Sequence, residues 1–203
     1  MPEAPAAVMP SHLLTVGVLS GGEGQRVGGK DKGLIELNRK PLIEWVLQSI
    51  STQLPNAAVL ISANRNLKQY SQYAPALSDS PDYQGPLAGV AALLERCQTE
   101  WLLTLPCDCP KLPPNFGEKL AHFLLNAKDA KAAVVNDGQR NQNAVSLIRK
   151  SELAGLREHL NSGGGAIHKW LATLAASTIL FDDWPAENWN ANTVDALQTL
   201  IDE

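Results

Sequence analysis

The sequence predicts an α/β fold, a mostly parallel sheet with helices on both faces. Three observations carry this. Short apolar runs of strand length alternate along the chain with amphipathic stretches of helical period. Several of those runs are apolar throughout, as in strands buried on both faces, and parallel strands need crossover helices that cover those faces. The turn signal Asp137-Gly138 between two apolar runs predicts an antiparallel addition after residue 131.

The elements follow in order. "TVGVLS" (15–20) reads as a first strand. "PLIEWVLQSI" (41–50) puts Leu42, Ile43, Val46, Leu47 and Ile50 on one helical face, and Pro41 suits a first turn. "AAVLIS" (57–62) is a buried-strand run, "NLKQYSQY" (66–73) a short helix and "PAL" (75–77) a short strand. "LAGVAALLERC" (87–97) is helical and "EWLLTLP" (100–106) strand-like. "NFGEKLAHFLLNA" (115–127) is a helix that begins after the stop Pro113-Pro114. "KAAVV" (131–135) and "NAVSLI" (143–148) are the paired strands. "SELAGLREHL" (151–160) is a helix broken by Gly163-Gly164-Gly165, followed by a helix over 166–174 and a strand over 177–181. A last helix is predicted over 193–201, with Asn192 as its N-cap. Residues 1–12 read as a flexible N-terminal tail and 13–203 as one domain, a length that suits a sizeable core.

Composition narrows the function classes. A net charge of -4 gives no global attraction to nucleic acid or an anionic membrane, so any anion site must be local. No apolar run approaches the ~20 residues of a spanning helix. Cys97, Cys107 and Cys109 form an odd set without disulfide spacing, which fits a reducing cytoplasm. The four histidines are scattered and no pair has metal-ligand spacing.

The stretch "LSGGEGQRVGGKDKGL" (19–34) follows the first strand directly. Its glycines let backbone N–H groups approach phosphate oxygens, and Arg26, Lys30 and Lys32 add cations. Gly24 to Lys30 spells the hydrolase phosphate loop, but Asp31 stands where a Ser or Thr must hold Mg²⁺. Gly22, Gly24 and Gly28 space one residue too long for a dinucleotide fingerprint.

The same stretch resembles the signature L-x-G-G-x-x-x-R-x-G-G-x-D-K-x-L of the nucleotidyltransferases related to molybdenum cofactor guanylyltransferase. "ISANR" (61–65), "DSPDYQGPLAGV" (79–90), "WLLTLPCDCPKLP" (101–113), "NDGQRNQ" (136–142) and "NWNANTVDAL" (188–197) continue the resemblance in the family's order. It implies a three-layer α/β/α fold with a Rossmann-like, mostly parallel sheet of nucleotidyltransferase type. It implies transfer of GMP from GTP to the terminal phosphate of molybdopterin, with or without bound molybdenum, releasing pyrophosphate and requiring Mg²⁺. The enzyme is expected in the cytoplasm, with transient contacts to proteins that deliver or accept the cofactor.

By this resemblance Leu19, Ser20, Gly21 and Gly22 contact guanine and ribose, and Arg26, Gly28 and Lys32 surround the triphosphate. Lys32 and Arg26 are the expected catalytic cations, with Asp31 orienting one of them. Asp108 follows the run "WLLTLP", so it should sit at a strand's carboxyl end as metal ligand and catalytic carboxylate. Ser62 and Asp79 are assigned to the GTP site, with Gly85 and Gly89 allowing close approach. Asn190 and Asn192 are assigned to molybdopterin. Cys107 and Cys109 flank Asp108 without a second pair to complete a zinc site, so they read as packing residues.

The sequence departs from the family pattern in places. Ser62 stands where many members have Asn, with Asn64 nearby, and Asn143 and Val194 replace prolines. "GGGAI" (163–167) replaces a stretch that often carries Arg, leaving His168 and Lys169 as the nearby cations. The alternatives are cytidylyl or sugar-phosphate nucleotidyl transfer, or a GTP- or cofactor-binding carrier without catalysis. Gly21-Gly22 favours guanine over the L-A-A-G of cytidylyltransferase relatives, and Asp108 favours an enzyme over a carrier.

Overall fold

The computed structural model describes residues 11–20 and 31–184. The tail over 1–10 and the helix predicted over 193–201 lie outside the described residues. Ser11 and His12, the inner end of the expected tail (1–12), form with Leu13 a 3-10 turn leading into the sheet.

In chain order the described strands and α-helices begin with β1 (Leu14–Leu19), β2 (Glu36–Leu37), β3 (Lys40–Pro41), α1 (Leu42–Gln53) and β4 (Ala58–Ser62). Next come α2 (Leu67–Tyr70), β5 (Ala76–Leu77), α3 (Pro86–Arg96), β6 (Trp101–Pro106) and α4 (Phe116–Asn126). The chain continues through β7 (Ala132–Asn136), β8 (Asn141–Arg149), α5 (Leu153–Asn161), α6 (Ile167–Thr173) and β9 (Ser177–Leu180). Seven strands form one sheet in the order β5-β4-β1-β6-β8-β7-β9. β8 alone among them runs against the rest, pairing antiparallel with β6 and β7. The antiparallel addition expected around Asp137-Gly138 is therefore the β7–β8 hairpin.

Two apolar cores lie on opposite faces of this sheet, and the alternation of strand side chains assigns residues to each. On one face Leu14, Val16, Val18, Ile61, Leu103 and Leu105 pack against Ile43, Val46 and Ile50 of α1 and Phe116 and Leu120 of α4. On the other, Leu60, Leu102, Val134 and Ile148 meet Leu87, Val90, Leu93 and Leu94 of α3, Leu156 and Leu160 of α5, and Ile167, Trp170 and Leu171 of α6. Each large side chain removed from water here contributes roughly 1.5–3 kcal/mol. Gly17 lets α3 sit close on β1: a Cβ there would lie 2.7 Å from Leu93 Cδ1. The result is the three-layer α/β/α arrangement. No helix among the described residues is long and apolar enough to cross a membrane.

One element escaped the sequence reading. "IELNRKP" makes a small hairpin in which β2 and β3 pair antiparallel. Asn38 and Arg39 both take left-handed backbone angles, φ 52° and 62°, the twist a two-residue hairpin turn needs. The apolar alternation of Ile35 and Leu37 before Asn38 was the available signal.

Gly117 fixes how closely α4 approaches the end of α1. A Cβ there would stand 2.0 Å from the Gln53 carbonyl oxygen, a rigid backbone atom. Gly117→Ala gains up to ~1 kcal/mol of helix propensity but forces a displacement that costs about 1–3 kcal/mol, so the clash wins. The variant should unfold at lower urea concentration than the wild type, and an unchanged midpoint would contradict this packing.

Candidate active site

The strand order places a ligand crevice before any side chain is considered. From β1 the chain moves outward to β4 and β5, then returns to add β6 on β1's other side. Such a reversal opens a crevice at the carboxyl ends of the strands, where loops on either side diverge. The ladder continues past the strand ends into this crevice. Ser20 N–H donates to the Ser62 carbonyl at 2.8 Å, and Cys107 N–H donates to the Leu19 carbonyl at 3.1 Å. The backbone of Leu19 and Ser20 is thereby fixed between β4 and β6. The Ser20 hydroxyl is buried with no hydrogen-bond partner among the described residues.

Lys32 and Asp108 meet across this crevice. Lys32 opens a 3-10 turn (Lys32–Leu34), and Asp108 lies two residues beyond β6. The Lys32 ammonium donates to Asp108 Oδ2 as an ion pair. Asp108 is only 8 % exposed, which strengthens attraction for a cation relative to water. On either side, Cys107 and Cys109 are buried as packing residues. Burial pushes the Cys107 thiol up to about 12, and the neighbouring Asp108 carboxylate adds to this. The same two causes push Cys109 up further. Both therefore stay protonated at neutral pH in the metal-free protein.

A second carboxylate is held at the ends of β4 and β5. Asp79 Oδ1 accepts from Ser62 Oγ at 2.7 Å, and Oδ2 accepts from Asn64 Nδ2 at 2.9 Å. Asp79 N–H returns a bond to Asn64 Oδ1 at 2.9 Å. Ser62 is buried and its hydroxyl is committed to Asp79, so it orients that carboxylate. Gly89 makes room for the pair, since a Cβ there would lie 2.7 Å from Ser62 Oγ and 3.4 Å from Asp79 Oδ1. The expectation for Gly89 as a close-approach residue thus has a definite neighbour. Gly85, with φ 80°, instead approaches the Gly165 carbonyl, 3.2 Å from where its Cβ would stand.

Asp31 is 8 % exposed and sits behind Lys32. Its Oδ1 accepts from the Tyr70 hydroxyl, and its Oδ2 from Asn66 Nδ2 at 3.3 Å. Sequence reasoning had Asp31 orienting a cation but missed Tyr70 and Asn66. Both lie in the short helix stretch "NLKQYSQY", where nothing but the buried position of one tyrosine distinguishes them.

The segment after β7 closes on itself. Asp137 Oδ1 accepts from the N–H groups of Gln139 and Arg140 at 2.9 and 2.8 Å, and Oδ2 from Gln142 Nε2 at 2.6 Å. The β7–β8 register slips between Val134 and Val135, so residues 143–145 bulge out. Thr104 Oγ1 on β6 fastens the bulge by donating to the Ala144 carbonyl at 3.0 Å. Bulges of this kind turn side chains toward a site at the strand end. The glycine triplet is a packing device here. A Cβ at Gly164 would lie 2.2 Å from His159 Nε2, and one at Gly165 would lie 3.3 Å from the Gln84 carbonyl. His168 and Lys169 are exposed on α6.

Of the expected site residues, the structure brings Lys32 to Asp108 and Ser62 to Asp79, with Leu19 and Ser20 between the two pairs. Gly21, Gly22, Arg26, Gly28, Asn190 and Asn192 lie outside the described residues. Among the described residues no three His, Cys, Asp or Glu side chains are grouped to hold a metal. Asp108 alone fits a hard divalent cation of the kind that takes one carboxylate and completes its shell with substrate phosphates and water.

The mostly parallel sheet with this crossover gives the chain an α/β nucleotidyltransferase fold, shared with solved members of that class. A family model described as the MobA-like NTP transferase domain matches residues 16–178, and the chain belongs to that family. It is 42 % identical over 187 residues to the molybdenum cofactor guanylyltransferase of Cupriavidus metallidurans, covering 89 % of this chain and 90 % of that one. It is 38 % identical over 192 residues to the protein of the same name from Photobacterium profundum, covering 94 % and 97 %. Among solved structures it resembles molybdopterin-guanine dinucleotide biosynthesis protein A from Archaeoglobus fulgidus, with TM-score 0.72, 23 % identity, and 92 % and 96 % coverage. It also shares its fold with 4-diphosphocytidyl-2C-methyl-D-erythritol synthase from Anaerococcus prevotii, with TM-score 0.68, 10 % identity, and 96 % and 98 % coverage.

The Asp137 knot carries a pH signature. Burial alone would raise this carboxyl, but the N–H groups of Arg140 and Gln139 and the Gln142 amide outweigh it and hold it below its ordinary value. A lowered folded-state pKa means stability that is fully present above the unfolded value of ~3.9 and is lost as pH falls through the folded value. The stability difference between wild type and Asp137→Asn should therefore be constant near neutrality and shrink below about pH 4. Urea melts of both proteins across that range test it, and a difference that grows on acidification would contradict it.

Proposed function

We propose that this chain transfers GMP from GTP to the terminal phosphate of molybdopterin, forming the guanine dinucleotide cofactor and releasing pyrophosphate. The observation that carries the reading is the Lys32–Asp108 pair at the switch point of the sheet. Support for the guanine donor and pterin acceptor comes from relatives named molybdenum cofactor guanylyltransferase, at 37–42 % identity over about 90 % of the chain. Residues 13–203 act as one catalytic unit in the cytoplasm, with proteins that deliver or accept the cofactor as transient partners.

The chemistry sets what the residues must do. A phosphate oxygen of molybdopterin attacks the α-phosphorus of GTP, a new P–O bond forms, and the bond to the β-phosphate oxygen breaks. Both reactants are anionic, so the site must offset their repulsion and the charge that accumulates in transfer. When bound, Mg²⁺ would supply Lewis-acid charge neutralisation, and Asp108 would hold it. Lys32 meets the triphosphate as a point charge. Arg26 and Gly28 join it there. Asp79, oriented by Ser62 and Asn64, accepts hydrogen bonds from the nucleoside, while Leu19, Ser20, Gly21 and Gly22 form the wall against guanine. Asn190 and Asn192 meet the pterin edge, whose alternating donors and acceptors an amide can match.

The test is transfer of α-labelled GTP, CTP, ATP and UTP to molybdopterin, with and without molybdenum, in the presence of Mg²⁺. Label should reach the pterin from GTP alone. Asp108→Ala should abolish transfer with far-UV circular dichroism unchanged, and Lys32→Ala should lower kcat/KM by about 10²–10³, as removal of a transition-state donor does. Near-normal turnover in Asp108→Ala would remove the metal assignment. Binding of GTP without transfer would redirect the search toward sugar-phosphate acceptors.

A further inference from the structure

Tyr70 has no part in the reaction as derived so far, yet its position ties it to Lys32. Its ring, carried at the end of α2, is fully buried in the core that also takes the buried face of α1, so packing fixes where its hydroxyl stands. That hydroxyl donates to Asp31 Oδ1, and Asn66, at the start of the same short helix, donates to Asp31 Oδ2. Both oxygens of the carboxylate are thus fastened to the segment that follows β4. The next residue in the chain is Lys32, whose ammonium crosses to Asp108 beyond β6. The 3-10 turn that carries Lys32 also lies against the phenol itself. A Cβ at Gly33 would stand 2.5 Å from the Tyr70 hydroxyl oxygen. The turn is closed by Leu34 N–H donating to the Asp31 carbonyl at 3.0 Å and Ile35 N–H donating to the Lys32 carbonyl at 3.3 Å. Desolvation first, and then the bond to Asp31, push the Tyr70 hydroxyl far above its ordinary pKa, so it remains a donor at every working pH.

We propose that Tyr70 is a positioning residue for phosphate binding. Through Asp31 and the contact with Gly33, it holds the Lys32 turn so that the ammonium stays in place when Asp108 gives it up. A lysine side chain has a flexible four-carbon stem, and its reach is useful only if its backbone is held. Misplacement of a charge by about 1 Å can cost ~10²-fold in rate. The proposal rests on the reading of Lys32 as the triphosphate cation.

A double-mutant cycle tests it, because a merely structural tyrosine would act equally with or without Lys32. The variants are Tyr70→Phe, Lys32→Met and the two together. The readouts are calorimetric affinity for magnesium pyrophosphate, which needs neither base nor acceptor, and GMP transfer to molybdopterin. Tyr70→Phe should weaken pyrophosphate binding and slow transfer by about tenfold each, and should add no further loss to Lys32→Met. An equal loss in both backgrounds, or no loss in either, overturns the proposal. If Tyr70→Phe does not fold, Asn66→Gly replaces it. That variant keeps the left-handed backbone of Asn66 (φ 53°) and removes the second donor to Asp31, with a smaller loss that must likewise vanish beside Lys32→Met. A wild type that binds magnesium pyrophosphate with the expected coupling but transfers no GMP would sink the guanylyltransferase reading and leave the positioning role standing. A wild type that transfers GMP with an additive cycle would do the reverse. Failure of the wild type to bind magnesium pyrophosphate would overturn the positioning role outright.

Discussion

The ion pair between Lys32 and Asp108 joins segments 76 positions apart at the one place where the sheet's connections diverge. It is the interaction on which the site depends, because the half-buried Lys32 ammonium neutralises the nearly buried Asp108 carboxylate. A nearly buried carboxylate without its cation would be costly. On the function proposed above, Asp108 would trade the ammonium for a metal ion and Lys32 the carboxylate for a phosphate, so neither charge would be left alone. The two opposite charges stand side by side at the carboxyl edge of the sheet, and the low exposure of Asp108 strengthens its action on a cation.

Glycines elsewhere on this side of the fold make room for close contacts. Gly89 admits the Ser62–Asp79 bond at the foot of α3. Gly165 and Gly85 let the loop after α5 press against the loop before α3, and Tyr83 reinforces the contact by donating to Asn161 Oδ1 at 3.0 Å. Gly164 leaves space for the His159 ring, and Gly163 takes a left-handed angle, φ 88°, at the end of α5. The glycine triplet thus allows a dense junction between the loop after α5 and the loop before α3.

Much of the fold was legible because burial imposes period on sequence. Apolar runs became β1, β4 and β6, and the face Leu42, Ile43, Val46 and Ile50 became the buried side of α1. The hairpin Glu36–Pro41 was missed, since its only sequence signal is the pair Ile35 and Leu37 before Asn38, too little for two-residue strands whose turn depends on two left-handed residues. The position of Asp108 just beyond a strand was legible, since the charge directly follows an apolar run, whereas most of the glycine stretch lies outside the described residues. For Ser62, read from the sequence as a nucleotide contact, the structure adds a hydrogen bond to Asp79, a partner 17 positions away that no local pattern reveals.

By itself the sequence determined the strands and helices of the sheet's layers and the signature that places the chain in its family. Those follow from local periodicity and from residue types held at fixed spacing. Only the tertiary structure decided which charges meet. The pairing of Lys32 with Asp108, the hold of Tyr70 and Asn66 on Asp31, and the orientation of Asp79 by Ser62 and Asn64 all arise from strands that are adjacent in space and distant in the chain. A hydrogen bond is specified by position within a few tenths of an ångström, and that precision exists only after the two cores have packed and fixed the strand ends.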